Sequence, residues 1–194
     1  AIGGAAVVPA DVTDPDAVDA AFAAAAAANG PVDILVNSAG IATTAPFLKT
    51  DLDVLRKVWR VNVEGVFTCT KAALPGMLEA GFGRIVNVAS TAGLKGYAYT
   101  SAYTLSKHAV IGMTRSLALE TAGRGVTVNA VCPGFTDTDL TSESVDKIMA
   151  KTGRSADEAR AALSETNPLK RLIRPDEVAD AVRWLVGPAA SAIT

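Results

Sequence analysis

The chain has 194 residues, 49% of them hydrophobic, and a formal net charge of −2 from 18 basic and 20 acidic side chains. That length suits one domain with a sizeable core and gives little reason to expect two. The charges are spread without a basic stripe, which argues against a nucleic-acid partner, and no apolar run or leading signal creates an expectation of membrane spanning or secretion.

In chain order the pattern alternates strand and helix. Residues 5–10 read as a buried strand ending in the polar turn Asp11-Val12-Thr13-Asp14. Pro15 then stands in the first turn of a helix, with Thr13 or Asp14 as its cap, and Asn29-Gly30 stops it. A second apolar strand, 32–36, breaks into Asn37-Ser38-Ala39-Gly40. A long helical stretch over about 51–80 follows, with an expected kink at Pro75 and an end at Gly81 to Gly83. The third strand is expected at 85–89, a helix over about 101–122 and the fourth strand over 126–131. Pro133-Gly134 opens a polar segment, 135–154, with a short helix near 144–151, and helices near 155–164 and 175–186 close the chain.

Apolar strands each followed by a helix predict an α/β fold, a doubly wound parallel sheet covered on both faces. Ligands on such a sheet bind beyond the carboxyl ends of the strands. The clusters Asp11-Val12, Asn37 to Gly40, Ser90 to Gly93 and Pro133-Gly134 all fall at strand ends and are expected to face one crevice. Cys69 and Cys132 lack metal-ligand spacing, so neither a metal site nor a disulfide framework is expected; they read as small buried hydrophobes in a reduced, cytoplasmic protein.

Tyr103 and Lys107 are four apart on a predicted helix, so both project from one face. A phenol is a poor base at neutral pH, and a nearby ammonium favours its ionised form. Ser90 lies at a strand end thirteen positions earlier, where its hydroxyl can bond a carbonyl oxygen that Tyr103 protonates. His108, the single histidine, is turned about 100° from that face and reads as packing or surface. Leu105, Ala109, Met113 and Leu117 form an apolar stripe expected in the core.

Taken together, Asn37-Ser38-Ala39-Gly40, Asn62 within Val61 to Gly65, Ser90, Tyr103-Thr104-Leu105-Ser106-Lys107 and Pro133 to Thr138 resemble the single-domain type of the short-chain dehydrogenase/reductase family, in family order along essentially all 194 residues. The resemblance implies a Rossmann-like fold and reversible hydride transfer between NAD or NADP and a secondary alcohol or ketone. It implies Tyr103 as general acid or base, Lys107 on the nicotinamide ribose, Ser90 on the substrate oxygen, and Asn62 leaving a backbone carbonyl to anchor a water. It puts Asp11 and Val12 at the adenine, Asn37, Ser38, Ala39 and Gly40 along the adenosine ribose, and Pro133, Gly134 and Thr136 against the nicotinamide amide. A helix-cap role for Asp11 stays open beside this, and Ser38 departs from the asparagine more usual in the motif.

The segment 135–154 is expected to cover the substrate, joined by Leu94 to Tyr97, with Tyr97, Tyr99, Phe135 and Leu140 as an apolar wall. The wording resembles the branch acting on 3-oxoacyl or 3-hydroxyacyl thioesters and similar ketones. Helices 51–80 and 101–122 are expected to pair with a second subunit in a homodimer or homotetramer.

The family's opening strand and Gly-rich turn over the pyrophosphate have no counterpart here, and the last strand is not reached by Thr194. The expectation is that residues belonging to both ends lie outside these 194; a chain truly lacking them would expose apolar sheet edges. The residue that would separate NAD from NADP falls in the same missing part. A non-catalytic binding or scaffold protein on this fold is the alternative reading, and an epimerase or dehydratase is disfavoured by the short remainder after Thr138.

Overall fold

The structure, a computed structural model, describes residues 5–194. Asp14 starts α1 (Pro15–Asn29), accepting from the backbone N–H groups of Asp16 (3.0 Å) and Ala17 (3.3 Å), so Asp14 rather than Thr13 is the cap. Strands β1 (Ile34–Asn37), β2 (Gly83–Val88) and β3 (Val126–Val131) form one parallel sheet in the order β1-β2-β3. Between β1 and β2 run α2 (Leu52–Trp59) and α3 (Gly65–Ala80), and α4 (Ser101–Thr121) connects β2 to β3. After β3 come α5 (Asp139–Thr152), α6 (Ala156–Ser164) and α7 (Pro175–Val186).

Register puts Leu35, Ile85 and Val128 side by side on one sheet face. There they close with Val126, with Ala73 and Met77 of α3 and with Ala118 of α4 into the main core, which Phe22 of α1 joins from the side. The alternate residues Arg84, Val86 and Thr127 are also buried, because α7 covers that face of β2 and β3. This two-sided cover is the doubly wound arrangement the strand pattern predicts. On β1 the same face is open: Ile34 and Val36 are 45% and 41% exposed.

Four expectations change. Residues 5–10 pair with no strand among the described residues and are exposed, because apolar composition makes a strand only where a neighbour completes its hydrogen bonds. The 51–80 helix continues through Pro75 but is interrupted earlier, at a π turn over Arg60–Glu64. The most buried face of α4 includes Ala102, Ser106, Val110, Ile111, Thr114 and Ala118; of the Leu105 stripe, Met113 and Leu117 pack partly buried against the core, while Leu105 is left 47% exposed. The helix expected near 144–151 begins five residues earlier, at Asp139, since Thr141 and Val145 bury one face of a segment without breakers until Gly153.

Among the described residues no helix is long and apolar enough to cross a membrane.

Candidate active site

The site is assembled where β2 ends. Ser90, in extended backbone, caps the single 3-10 turn Thr91–Gly93, its Oγ accepting from the Ala92 N–H at 3.0 Å. Gly93 makes the next step possible: a Cβ there would come within 2.7 Å of both the Ile111 side chain and the Lys107 carbonyl. The turn therefore docks directly on α4, and the Ser90 hydroxyl faces the Tyr103 phenol. One helical turn further on, Lys107 Nζ sits 5.7 Å from the centre of the Tyr103 ring and donates to the Val88 carbonyl at 2.8 Å.

The environment is dry, and dryness sets the charges. Burial pushes the Tyr103 phenol above its ordinary pKa, with Ser90 working in the opposite direction. Burial pulls the Lys107 ammonium down to about 8, against a raising influence from Cys132. Cys132 is itself pushed up by burial, with the Ser90 N–H and Lys107 opposing. The phenol is thus a proton donor at neutral pH, beside a cation that has lost most of its hydration.

Asn62 supports this cluster from below. The π turn carries it on the α2–α3 junction, fully buried, with Oδ1 accepting from the Ile41 N–H at 2.9 Å. Its amide donates to the Ile41 carbonyl (2.9 Å) and to Ser106 Oγ (3.0 Å), and Ser106 Oγ donates to the Tyr103 carbonyl (2.7 Å). Asn62→Ala strands these partners in the interior and is expected to destabilise the protein by about 2–4 kcal/mol, measured as a lowered Tm.

Ser106 was not singled out from the sequence. Its signal is a polar residue three positions after Tyr103 on the buried face of an otherwise apolar helix. A second unannounced network crosses the sheet: the Asn37 amide donates to Thr70 Oγ1 (3.2 Å) and Asn87 Oδ1 (2.8 Å), and the Asn87 amide donates to Thr114 Oγ1 (2.9 Å). Asn37 therefore turns its amide into the core.

Ser38, Ala39 and Gly40 are accessible at the end of β1. A cavity of about 130 Å³ there is lined by Ser38, Ala39, Val12, Val61 and Val66. A Cβ built on Gly40 would stand 3.4 Å from Asn62 Oδ1 and 3.7 Å from Lys107 Nζ, so the glycine keeps a cradle open beside the ammonium. Val12 lies against Gly65, while the exposed Asp11 carboxylate accepts from the Thr13 N–H (2.8 Å) and closes the turn before α1 rather than capping it. Donors at Lys107, accessible small residues after β1 and an apolar floor at Val12 fit a dinucleotide laid across the strand ends.

On the opposite rim, Thr136 Oγ1 donates to the Gly134 carbonyl at 3.1 Å. Tyr97 meets Phe135 edge to face at 6.1 Å between ring centres, and its hydroxyl pairs with Thr91 Oγ1 at 2.8 Å. Leu94 is 57% exposed and Leu140 half-buried. Tyr99 does not join the wall: it is 67% exposed, in left-handed backbone (φ 67°), with its carbonyl accepting from the Ala45 N–H. His108 is exposed, its Nδ1 2.9 Å from the Thr104 carbonyl.

A family model described as "Enoyl-(Acyl carrier protein) reductase" matches residues 1–194. A putative ketoacyl reductase from Streptomyces coelicolor is 40% identical over 95% of this chain and 71% of its own length. The chain belongs to the short-chain dehydrogenase/reductase family. A cis-4-hydroxycyclohexanecarboxylate dehydrogenase from Sinomonas cyclohexanicum is 43% identical over 93% of the chain and 69% of its own length. The crystal structure of a single-substitution variant of actinorhodin polyketide ketoreductase with NADPH superposes with a TM-score of 0.91 at 39% identity, covering 95% of this chain and 72% of that one. As a short-chain dehydrogenase/reductase the protein is an NAD(P)-dependent oxidoreductase that interconverts a secondary alcohol and a ketone.

Proposed function

We propose that Tyr103 donates the proton when the ketone is reduced and takes it back when the alcohol is oxidised. One observation carries this: the Ser90 hydroxyl meets the Tyr103 phenol and the Lys107 ammonium lies 5.7 Å from the centre of the same ring, in a site whose burial keeps the phenol protonated at neutral pH. When bound, the nicotinamide supplies or accepts the hydride. Ser90 and Tyr103 converge as two donors on one oxygen, which suits a carbonyl and polarises it as charge develops. Lys107 spends one donor on Val88 and directs the others at the nicotinamide ribose hydroxyls. Asn62, through its backbone carbonyl, holds a water that joins Lys107 to solvent.

In this reading Asp11 and Val12 border the adenine, the backbone of Asn37 to Gly40 follows the adenosine ribose, and Pro133, Gly134 and Thr136 meet the nicotinamide amide. NAD and NADP are both admitted. The segment 135–154, which begins where Phe135 touches Tyr97, covers a substrate bordered by Leu94 and Leu140. The substrate class is a 3-oxoacyl or 3-hydroxyacyl thioester or a similar ketone, a reading supported by the ketoacyl reductase relatives.

A groove between Leu55, Trp59 and Leu105 leaves the α2–α4 surface apolar and open, which supports a homodimer or homotetramer built on these helices. Unpaired Cys69 and Cys132 support a reduced, cytoplasmic setting.

The test is isotopic. With NADH or NADPH deuterated at the nicotinamide C4 and an acetoacetyl thioester, deuterium is expected on the new carbinol carbon. Transfer from neither cofactor, with thioester or simple ketones, overturns the proposal.

A further inference from the structure

The loop carrying Pro133, Gly134 and Thr136 has no helix or strand of its own. Something else must hold it, because a contact to the nicotinamide is useful only at fixed geometry. The Thr91 N–H holds the Pro133 carbonyl at 2.9 Å, and the far side of the loop is held by Asn167, which lies more than thirty positions away in the turn after α6 and is 4% exposed. Its Oδ1 accepts from the Phe135 N–H (3.0 Å), and its amide donates to the Phe135 carbonyl (2.9 Å) and the Arg171 carbonyl (2.8 Å). A side-chain amide here copies the paired bonds one strand would make to another.

The neighbouring backbone continues the pairing. The Ile173 N–H donates to the Phe135 carbonyl (3.0 Å), the Asp137 N–H donates to the Ile173 carbonyl (2.9 Å), and Thr136 bridges Ile173 in parallel. Gly134 is shaped to the same clamp, since a Cβ on it would run into Asn167 Oδ1. Asn167 touches neither Ser90, Tyr103 nor Lys107 by any of these bonds; its partners are the loop and the turn behind it.

We infer that Asn167 is a positioning residue, setting the height of the Pro133–Thr136 loop against the nicotinamide and so controlling how the cofactor's reactive end is held. The inference rests on the proposed assignment of that loop to the nicotinamide amide. Its physical content is specific: removing the amide takes away the two bonds Asn167 makes to Phe135 but leaves the Ile173 N–H on the Phe135 carbonyl and the Asp137 N–H on the Ile173 carbonyl, so the loop stays folded but less firmly held.

The experiment compares the parent enzyme with Asn167→Ala, Asn167→Asp and Thr136→Val. NADH and NADPH affinity is read by fluorescence titration, the emission of the bound reduced nicotinamide by its spectrum, and cofactor-free Tm by thermal melting. Asn167→Ala is expected to weaken cofactor binding about tenfold, to return the bound emission toward that of free cofactor, and to leave the substrate KM at saturating cofactor unchanged. Asn167→Asp, whose carboxylate faces two carbonyl oxygens, weakens binding further. Parent-like affinity and emission in Asn167→Ala, with Thr136→Val impaired, overturn the inference while the loop assignment stands. Parent-like binding in Thr136→Val overturns the assignment and the inference with it. Failure of both Asn167 variants to fold makes the residue a folding element and likewise overturns its positioning role.

Discussion

Tyr103→Phe is expected to lower turnover by about 10³-fold while cofactor affinity stays within about twofold. The phenyl ring keeps the packing of α4 against the turn 91–93, so the scaffold around Ser90 and Lys107 survives; only the hydroxyl is lost. In the proposed mechanism that hydroxyl supplies the proton as hydride reaches the adjacent carbon; the Cys132 thiol meets Ser90 only at its backbone N–H. Ser90 can still bond the substrate oxygen, so binding persists without proton transfer. Burial raises the phenol pKa, so in the parent the protonated form dominates through neutral pH, and alcohol oxidation, which needs the base, is expected to rise as pH increases. The check is steady-state kcat in both directions beside a fluorescence titration with reduced cofactor. Turnover within tenfold of the parent would remove Tyr103 from the chemistry.

Much of this arrangement was legible in residue order. Strands β2 and β3 and the helices α1, α4 and α7 follow from apolar runs bounded by Pro, Gly and capping Asp, because those signals act within a few residues. The pairing of Tyr103 with Lys107 follows from helical periodicity alone. What stayed hidden depends on distant partners. Residues 5–10 have strand composition, yet a ladder needs a neighbour and none of the described residues pairs with them. The π turn at Arg60–Glu64 arises where Asn62 satisfies both backbone groups of Ile41, a pairing across twenty-one positions that no local pattern announces. Leu105 reads as core by hydropathy, but α4 buries the side carrying Ala102, Ser106, Val110 and Ile111 and leaves Leu105 exposed. The hold of Asn87 and Thr70 on the Asn37 amide likewise joins residues tens of positions apart. In each of these cases the outcome turned on residues distant in sequence, by their contact or by its absence.

Lys107→Met is expected to cost at least about a hundredfold in kcat/KM through loss of the proposed ribose contacts. Its effect on stability separates function from structure. A lysine whose folded-state pKa lies near 8 instead of 10.5 disfavours the fold at neutral pH by about 3 kcal/mol of charge burial. Between those two values the unfolded chain binds the proton more tightly than the folded one, so the parent gains stability as pH rises from about 8 toward 10.5. The methionine variant has no proton to lose there, and its Tm is expected to lack that gain. At pH 7 the two Tm values stay close, since deleting the buried charge offsets the Val88 carbonyl left without its 2.8 Å partner. Subtracting the variant's Tm–pH curve from the parent's isolates the Lys107 titration. A flat difference from pH 8 to 10.5 would mean that the ammonium is not desolvated, and the buried cation on which the Tyr103 chemistry depends would have to be abandoned.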